Sequence, residues 1–187
     1  MPVVPIIILV VVVLLVVFLI AAYNGLVKAR NRVDNAFAQI EVQQKRRYDL
    51  IPNLVETVKG YAAHERQTLE AVTAARTSAI SAQQGGDLAQ QAQAENALTG
   101  ALTSLFAVAE AYPDLKANQN FLQLQEELTA TEDRIAYSRQ FFNDSVLSYN
   151  NAIQTFPRNL IAGMFNFEKR EFFDAEPEAG TAPRVSF

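Results

Sequence analysis

Hydrophobic residues fill the start of the chain without interruption and recur only at helical spacing after it. The run from Val3 to Ala22 contains no charged residue. About 20 such residues, each rising about 1.5 Å along a helix, cross a hydrocarbon core of about 30 Å. A cleaved signal peptide would have basic residues before its apolar region and a small-residue cleavage site after it. A buried strand would be less than half as long. The run therefore predicts an uncleaved membrane anchor over residues 1–23.

Charges beside this run predict its orientation in the membrane. Lys28, Arg30 and Arg32 follow it closely, and neither Lys nor Arg precedes it. Basic residues flanking a span stay on the cytoplasmic side. We therefore expect the N-terminus outside and residues 24–187 in the cytoplasm.

Beyond the anchor, apolar residues recur at intervals of three, four and seven, which predicts helices. The first helix is expected to continue from the anchor to about Asp49. Pro52 should end it and lie in the first turn of a second helix that runs to about Ser81, because the residue before a proline avoids the helical region.

Two glycines and an aspartate, Gly85-Gly86-Asp87, predict a C-cap, a loop and an N-cap between the second and third helices. The third helix is expected to run from about Asp87 to Tyr112, where Pro113 stops it.

The fourth helix has the most regular pattern and is expected to end before Pro157. Large residues recur every seven positions, at Phe121, Leu128, Ile135, Phe142, Tyr149 and Phe156. Smaller residues occupy most of the complementary positions, at Leu124, Thr131, Ser138, Ser145 and Ala152. Such alternation lets a bundle seam interdigitate, and short turns between long helices place neighbours antiparallel.

The predicted fold is all-α, with the N-terminal transmembrane helix continuing into an elongated antiparallel up-down four-helix bundle. The bundle is expected over residues 24–174. A flexible tail is expected over residues 175–187, which are rich in Pro, Gly and Glu.

Charge and cysteine content narrow the classes of function. The net charge is −4, but the chain up to Arg76 has nine basic and six acidic residues, so the basic excess lies at the membrane end. That asymmetry fits attraction to anionic lipid. It does not fit nucleic acid, which requires a broad positive face. The absence of cysteine excludes disulfides, thiolate zinc sites and cysteine nucleophiles.

Catalytic and metal-binding motifs are not recognised in the sequence. His64 is the one histidine, and the residue three positions before it is not the glutamate of the Glu-x-x-His motif found in di-iron bundles. His64 is therefore expected to be a solvated helix residue. Gly85-Gly86 has neither the preceding strand nor the following lysine of a phosphate-binding loop. We therefore expect that the protein is not an enzyme and binds neither a cofactor nor a metal. The alternative that remains is an enzyme with an unfamiliar site.

Two charged clusters form a candidate interaction patch. Its members on the first and fourth helices are Lys45, Arg46, Arg47, Asp49, Glu132, Asp133, Arg134 and Arg139. One interpretation is structural: the cations complement the C-terminal dipole of the first helix and pair with acids on the fourth. The other is a docking patch, because surface pairs contribute only about 0–1 kcal/mol each to stability.

Several motifs in a fixed order carry a resemblance to a known family. They are Tyr23-Asn24, the run Lys45-Arg46-Arg47-Tyr48-Asp49-Leu50-Ile51-Pro52-Asn53-Leu54-Val55, the turn Tyr112-Pro113-Asp114-Leu115, the segment Glu132-Asp133-Arg134-Ile135-Ala136, and Phe156-Pro157. Together they resemble the bacterial LemA family. The resemblance implies a membrane-anchored helical bundle without known catalytic activity. One branch of that family is tied to magnetosome formation, and genes of the family often lie beside those of membrane proteases or other membrane proteins.

Two functional hypotheses follow. The first is a non-enzymatic scaffold in the bacterial inner membrane that self-assembles into a homo-oligomer, recruits membrane partners, or both. The second is an adaptor or sensor for a membrane protease or an envelope-stress system. Self-assembly would leave an apolar or aromatic strip exposed in one copy, for which the candidates are Phe165, Phe167, Phe172 and Phe173. The expected partners are the lipid bilayer, further copies of the chain, and a membrane protease or other membrane protein.

Overall fold

In the computed structural model, which describes residues 3–173, every regular element is a helix. The helices are α1 (Val3–Lys59), α2 (Arg66–Gly85), α3 (Leu88–Ala109), α4 (Pro113–Lys116), α5 (Gln119–Gln154) and α6 (Arg158–Met164). The all-α prediction is confirmed. The elongated, up-down, four-helix form of the bundle stays a prediction, and the expected tail lies outside the described residues.

The helices contribute to two compact units. The first unit consists of residues 3–38 and 140–171, and the second unit consists of residues 39–139 with 172 and 173. Helices α1 and α5 therefore each supply residues to both units. This division does not test the boundaries predicted from the sequence.

The expected break at Pro52 is wrong, because α1 continues through this proline to Lys59. A proline inside a helix has no N–H, which leaves the carbonyl four residues earlier without its donor. Here that carbonyl belongs to Tyr48, and the Nε of Arg76 on α2 donates to it at 2.8 Å. A side chain from a neighbouring helix thus supplies the hydrogen bond that the proline removes.

The connection between α1 and α2 consequently lies at residues 60–65 instead of residues 49–51. His64 is exposed there, in a turn and not in a helix. The next connection agrees with the sequence. Gly86 has a φ of 75°, which favours glycine, and the carboxylate of Asp87 caps α3 by accepting from the backbone N–H groups of Ala89 and Gln90 at 2.9 and 3.1 Å.

The heptad pattern of α5 is buried as expected over most of its length. Phe121, Leu128, Ile135, Phe142 and Tyr149 are all buried. Phe156 is wrong as a seam residue: its exposed fraction is 78 %, because α5 ends at Gln154. The hydroxyls of Thr131 and Ser145 donate to backbone carbonyls four residues earlier, at 2.7 and 2.8 Å, and therefore bury no unpaired donor.

The core of the second unit draws apolar residues from five helices. Its members are Tyr48, Ile51, Leu54 and Val58 of α1, Ala62 of the connection to α2, Leu69, Val72 and Ala79 of α2, Leu98, Leu102, Leu105 and Ala109 of α3, Leu115 of α4, and Phe121 and Leu128 of α5. Helical spacing on each element brings these side chains to one side, so burial of apolar surface holds the helices together.

In the first unit, the side chains of α1 change near Ala22 from uniformly exposed to partly buried. Residues 3–21 are apolar and exposed, whereas Ala22, Leu26 and Val33 are buried. Farther along, the ring of Phe37 lies 5.6 Å from the ring of Phe142 on α5. Within the described residues, α1 is the helix whose length and composition suit a membrane crossing.

Candidate functional site

The structure separates the residues of the predicted interaction patch into exposed and buried groups. Lys45 is exposed, and its Nζ lies 2.8 Å from the carboxylate of Asp49 one turn later. Arg46 lies 3.6 Å from Glu127 on α5. Arg47 is 1 % exposed. The side chain of Arg47 is therefore not available at the surface, and a docking role for the other residues of the patch stays a prediction.

The patch residues of α5 are similarly divided. Asp133 and Arg134 are exposed, whereas Glu132 is partly buried and pairs with Arg47. The guanidinium of Arg139 donates to Asn96 at 3.2 Å and lies 4.7 Å above the ring of Phe173. The structure thus brings Arg47 and Glu132 together as a structural pair.

This pair belongs to a larger group inside the second unit, which we call the buried charge cluster. It consists of Arg47, Tyr48, Glu95, Thr99 and Glu132. Arg47 donates to the carboxylates of Glu95 and Glu132 and, at 3.0 Å, to the hydroxyl of Thr99. Tyr48 donates to Glu95, and Thr99 donates to Glu132 at 2.8 Å. The cluster ties α1, α3 and α5 together.

Neighbouring amides extend the same polar layer. Gln44 lies one turn before Tyr48, and Gln91 lies one turn before Glu95. Both are buried, and the amide nitrogen of Gln91 donates to the amide oxygen of Gln44 at 2.9 Å. Burying polar groups is costly unless they are hydrogen-bonded. This contact offsets part of that cost, whereas the amide nitrogen of Gln44 has no hydrogen-bond partner among the described residues.

Burial changes the acid–base properties of the cluster. Desolvation lowers the pKa of the Arg47 guanidinium below its usual value, and the carboxylate of Glu132 opposes that change. Desolvation also raises the pKa of Tyr48 to about 12. Tyr48 therefore stays protonated at neutral pH and remains a donor to Glu95.

The sequence pattern indicated Arg47 and Glu132, with Tyr48 as a neighbour of the first charged cluster, but not Glu95 or Thr99. A signal for Glu95 was present in the sequence. The apolar positions Leu98, Leu102 and Leu105 define the buried face of α3, and extending their spacing toward the N-terminus reaches Glu95. A carboxylate on an apolar face predicts a buried cation opposite it, because charges inside proteins are paired.

The dipole interpretation of Lys45–Arg47 is wrong. It placed these cations at the end of a helix, whereas α1 continues for more than ten residues beyond them, to Lys59. A helix dipole acts only within the last turn. Pairing with acids on α5, the other half of that interpretation, agrees with the contacts of Arg46 and Arg47.

The cluster offers an ionic network and not an assembled catalytic constellation. Its carboxylates are engaged by Arg47, Tyr48 and Thr99. Within residues 3–173, His, Cys, Asp and Glu side chains do not gather into a group of three or more that could hold a metal ion. The expectation of no cofactor stays a prediction.

The predicted aromatic strip does not form as expected. Phe173 is fully buried, under the guanidinium of Arg139. Phe165 is 57 % exposed and Phe172 is 38 % exposed, whereas Phe167 is partly buried against Tyr23, with 5.8 Å between ring centroids. A strip that contains all four residues is therefore wrong.

Comparison with known proteins identifies relatives along most of the chain. The protein is 30 % identical to Protein LemA of Metamycoplasma hominis over 154 residues, which cover 81 % of this chain and 68 % of that protein. It is 28 % identical to Magnetosome protein MamQ of Magnetospirillum gryphiswaldense over 191 aligned positions, which cover 90 % of this chain and 70 % of that protein. Magnetosome protein MamQ 1 of Paramagnetospirillum magneticum is 26 % identical over the same coverage.

A family model described as the LemA family matches residues 36–187, and this match includes both charged segments and the whole of α2 to α6. The resemblance inferred from the sequence motifs is confirmed, and the chain belongs to the LemA family.

Proposed function

We propose that this LemA-family protein is a non-enzymatic scaffold that one transmembrane helix holds at the inner membrane of a bacterium. The helical units would lie in the cytoplasm, where they assemble with further copies of the chain or recruit membrane partners. The continuity of α1 carries the proposal. An apolar, exposed segment continues as one helix into the packed part of the first unit, where Ala22, Leu26 and Val33 are buried.

The helical connection matters because it has no flexible linker. Beyond residue 21, where the exposed apolar segment ends, α1 remains helical through the buried residues Ala22, Leu26 and Val33 of the first unit. The apolar segment thus passes directly into the packed part of the first unit. That arrangement suits a protein whose task is to present a folded surface at a membrane.

The buried charge cluster supports the non-enzymatic part of the proposal. A catalytic group must reach substrate, whereas Arg47 and Glu95 are 1 % and 0 % exposed and donate or accept within the protein. Their hydrogen bonds and ion pairs instead hold α1, α3 and α5 together.

The anchor and its orientation are tested with single cysteines, which are unique labels because the chain has none of its own. Gln84→Cys lies at an exposed position near the end of α2. The full chain should resist extraction by alkaline carbonate. In spheroplasts, an impermeant maleimide should label Gln84→Cys only after the cells are opened. Labelling in intact spheroplasts would refute the cytoplasmic orientation, and release by carbonate would refute the anchor.

Self-assembly is tested in the same cysteine-free background. Val42→Cys on α1 and Tyr137→Cys on α5 replace side chains that are 63 % and 70 % exposed. Oxidative cross-linking in membranes should give a dimer from at least one exposed position. Co-expression of excess cysteine-free chain should reduce that dimer in proportion. A strict monomer at every expression level would refute self-assembly and leave only recruitment of partners.

The adaptor hypothesis is tested by reversing exposed charges of the patch and not Arg47, because reversing Arg47 would break the buried charge cluster. Lys45→Glu and Arg134→Glu reverse exposed charges and leave the interior intact. If a defined membrane protein co-purifies with the chain, an adaptor acting through this surface should lose it in these variants. Unchanged co-purification would exclude these residues as the docking surface.

A further inference from the structure

Helix α6 carries apolar side chains that the rest of the first unit does not cover. Ile161 and Ala162 are buried, whereas Leu160 and Met164 are 60 % and 78 % exposed. Leu160 and Met164 are four residues apart and therefore lie on one face of the helix. Phe156 and Phe165, which flank α6, are 78 % and 57 % exposed. We call Phe156, Leu160, Met164 and Phe165 the α6 apolar residues.

Contacts within the first unit fix the level of α6 along α1. The ring centroid of Phe165 lies 4.8 Å from that of Tyr23, and Phe167 is 5.8 Å from the same ring. Tyr23 immediately follows the exposed apolar segment, and burial of α1 begins one residue earlier, at Ala22. The end of α6 is therefore held where the apolar segment meets the packed part of the unit.

The same region carries an excess of positive charge. Residues 22–38 and 156–171 together contain six basic and three acidic residues. Some of the six have protein partners: Arg30 lies over the ring of Phe167 at 5.3 Å, and Arg170 pairs with Asp34 at 2.9 Å. Lys28 and Arg158 are exposed.

We propose that the α6 apolar residues form a second membrane contact, in the headgroup region of the bilayer that α1 crosses. Exposed apolar side chains beside aromatic rings and basic residues are typical of segments that lie in the membrane interface. The contact of Phe165 with Tyr23 places them at the level where a spanning α1 leaves the hydrocarbon. The ligand is an anionic lipid surface, because basic residues near such a surface add attraction for it. This inference rests on the proposed membrane anchor.

A depth measurement in lipid vesicles tests the inference. The full-length chain, with Met164→Cys or Leu160→Cys labelled by an environment-sensitive fluorophore, is reconstituted into phosphatidylcholine vesicles with or without phosphatidylglycerol. The matched control is Asp144→Cys, an exposed position of α5 close to Phe142. Phe142 contacts Phe37, which is fourteen residues, or about 21 Å of helix, beyond Tyr23.

Nitroxide lipids with a shallow label should quench the Met164 and Leu160 probes severalfold more than the Asp144 probe. The difference should increase when phosphatidylglycerol is present. Equal quenching at all three positions would overturn the inference. A blue-shifted Met164 probe that lipid does not quench, and whose shift disappears on dilution into excess lipid, would overturn it in favour of a second copy of the chain.

Failure of this inference is distinguishable from failure of the anchor. The variant Leu160→Ser/Met164→Ser/Phe165→Ser should still resist carbonate extraction, because α1 alone would hold it in the membrane. Protease protection of α6 by vesicles should be lost in that variant. Carbonate release of the unsubstituted chain would refute the anchor itself, whatever the probes at α6 report.

Discussion

Removing one carboxylate from the buried charge cluster should destabilise the protein far more than removing a surface charge. Glu95→Ala deletes an acceptor that both Arg47 and Tyr48 use, at a position with no exposed surface. Breaking a buried ion pair from one side costs about 3–5 kcal/mol, because a buried charge loses its partner. The orphaned Tyr48 hydroxyl contributes to the same loss, since an unsatisfied buried donor costs about 1–3 kcal/mol.

Glu132 moderates this effect because it still pairs with Arg47, and its side chain is 39 % exposed. We therefore expect Glu95→Ala to lower the free energy of unfolding by about 3 kcal/mol, the lower end of the range for a broken buried ion pair. For a folded region of about 150 residues, a loss of that size lowers the midpoint of thermal unfolding by on the order of 10 °C. The assay is thermal or urea unfolding of the full-length chain in detergent, followed by circular dichroism.

The matched control is Lys45→Ala, which removes the exposed pair with Asp49 two residues before Arg47. It should cost about 0–1 kcal/mol. If Glu95→Ala and Lys45→Ala lowered the midpoint equally, Glu95 would not be a buried partner of Arg47, and the cluster would not hold the helices together.

A combined variant separates the unpaired charge from simple loss of packing. Arg47→Met/Tyr48→Phe/Glu95→Leu replaces polar side chains with apolar ones of similar size. Replacing buried ionic groups in this way is often neutral or stabilising. The carboxylate of Glu132, which loses Arg47, is 39 % exposed and therefore remains in contact with water. The triple variant should therefore be more stable than Glu95→Ala, although it contains more substitutions. A triple variant as unstable as Glu95→Ala, or less stable, would indicate that shape and not charge governs this layer.

Three further predictions concern local features. Arg76→Ala should lower the free energy of unfolding by about 1–3 kcal/mol, because the Tyr48 carbonyl loses its donor. In a Pro52→Ala background residue 52 regains its N–H, so the same substitution should have a markedly smaller effect in urea unfolding. Asp87→Ala should cost about 0.5–2 kcal/mol through loss of the α3 cap, measured in the same way. Because the folded-state pKa of Tyr48 is raised from 10.0 to about 12, its contribution to stability should persist below pH 10 and be lost as the pH rises through that interval, and Tyr48→Phe should flatten this decline in unfolding midpoints.

Each of these predictions can be contradicted directly. Equal costs of Arg76→Ala in both backgrounds would show that Arg76 does not act through the Tyr48 carbonyl. Asp87→Asn retains a capping side chain and should stay close to the original stability, so an equal loss in both Asp87 variants would contradict the capping role. A Tyr48→Phe protein that loses stability at high pH as steeply as the original would show that Tyr48 is not the titrating group.

Elements with strong local signals were predictable from the sequence. The all-α class, the seam of α5 up to Tyr149 and the cap at Asp87 all follow from spacing and capping chemistry that act within a few residues. The end of α1 was not predictable in this way. The general preference of proline for helix starts predicted a break at Pro52, but Arg76, 24 residues later in the sequence, donates to the freed carbonyl. A contact between separate helices outweighed the local preference.

The site was predictable only in part for the same reason. The charged residues of α1 and α5 are evident in the sequence, but which of them is buried depends on the rotation of each helix. Arg47 lies between the buried residues Gln44 and Ile51, whereas its neighbours Lys45 and Arg46 point to solvent. Glu95 escaped notice because α3 is rich in Ala and Gln, so its apolar stripe is short. Helical spacing applied to polar residues, and not only to apolar ones, would have identified both.

The seven-residue repeat of α5 allows more than one register against its neighbouring helices, and the buried charge cluster selects one of them. A seam with a large residue at every seventh position can slide by one heptad and still match large residues with small ones. Such a slip would carry Glu132 about 10.5 Å along the helix axis, well beyond the reach of Arg47. The ionic contacts thus select one register of α5 among those that its repeat allows. Deleting them together should permit helix pairing in a shifted register, even where the melting temperature is preserved.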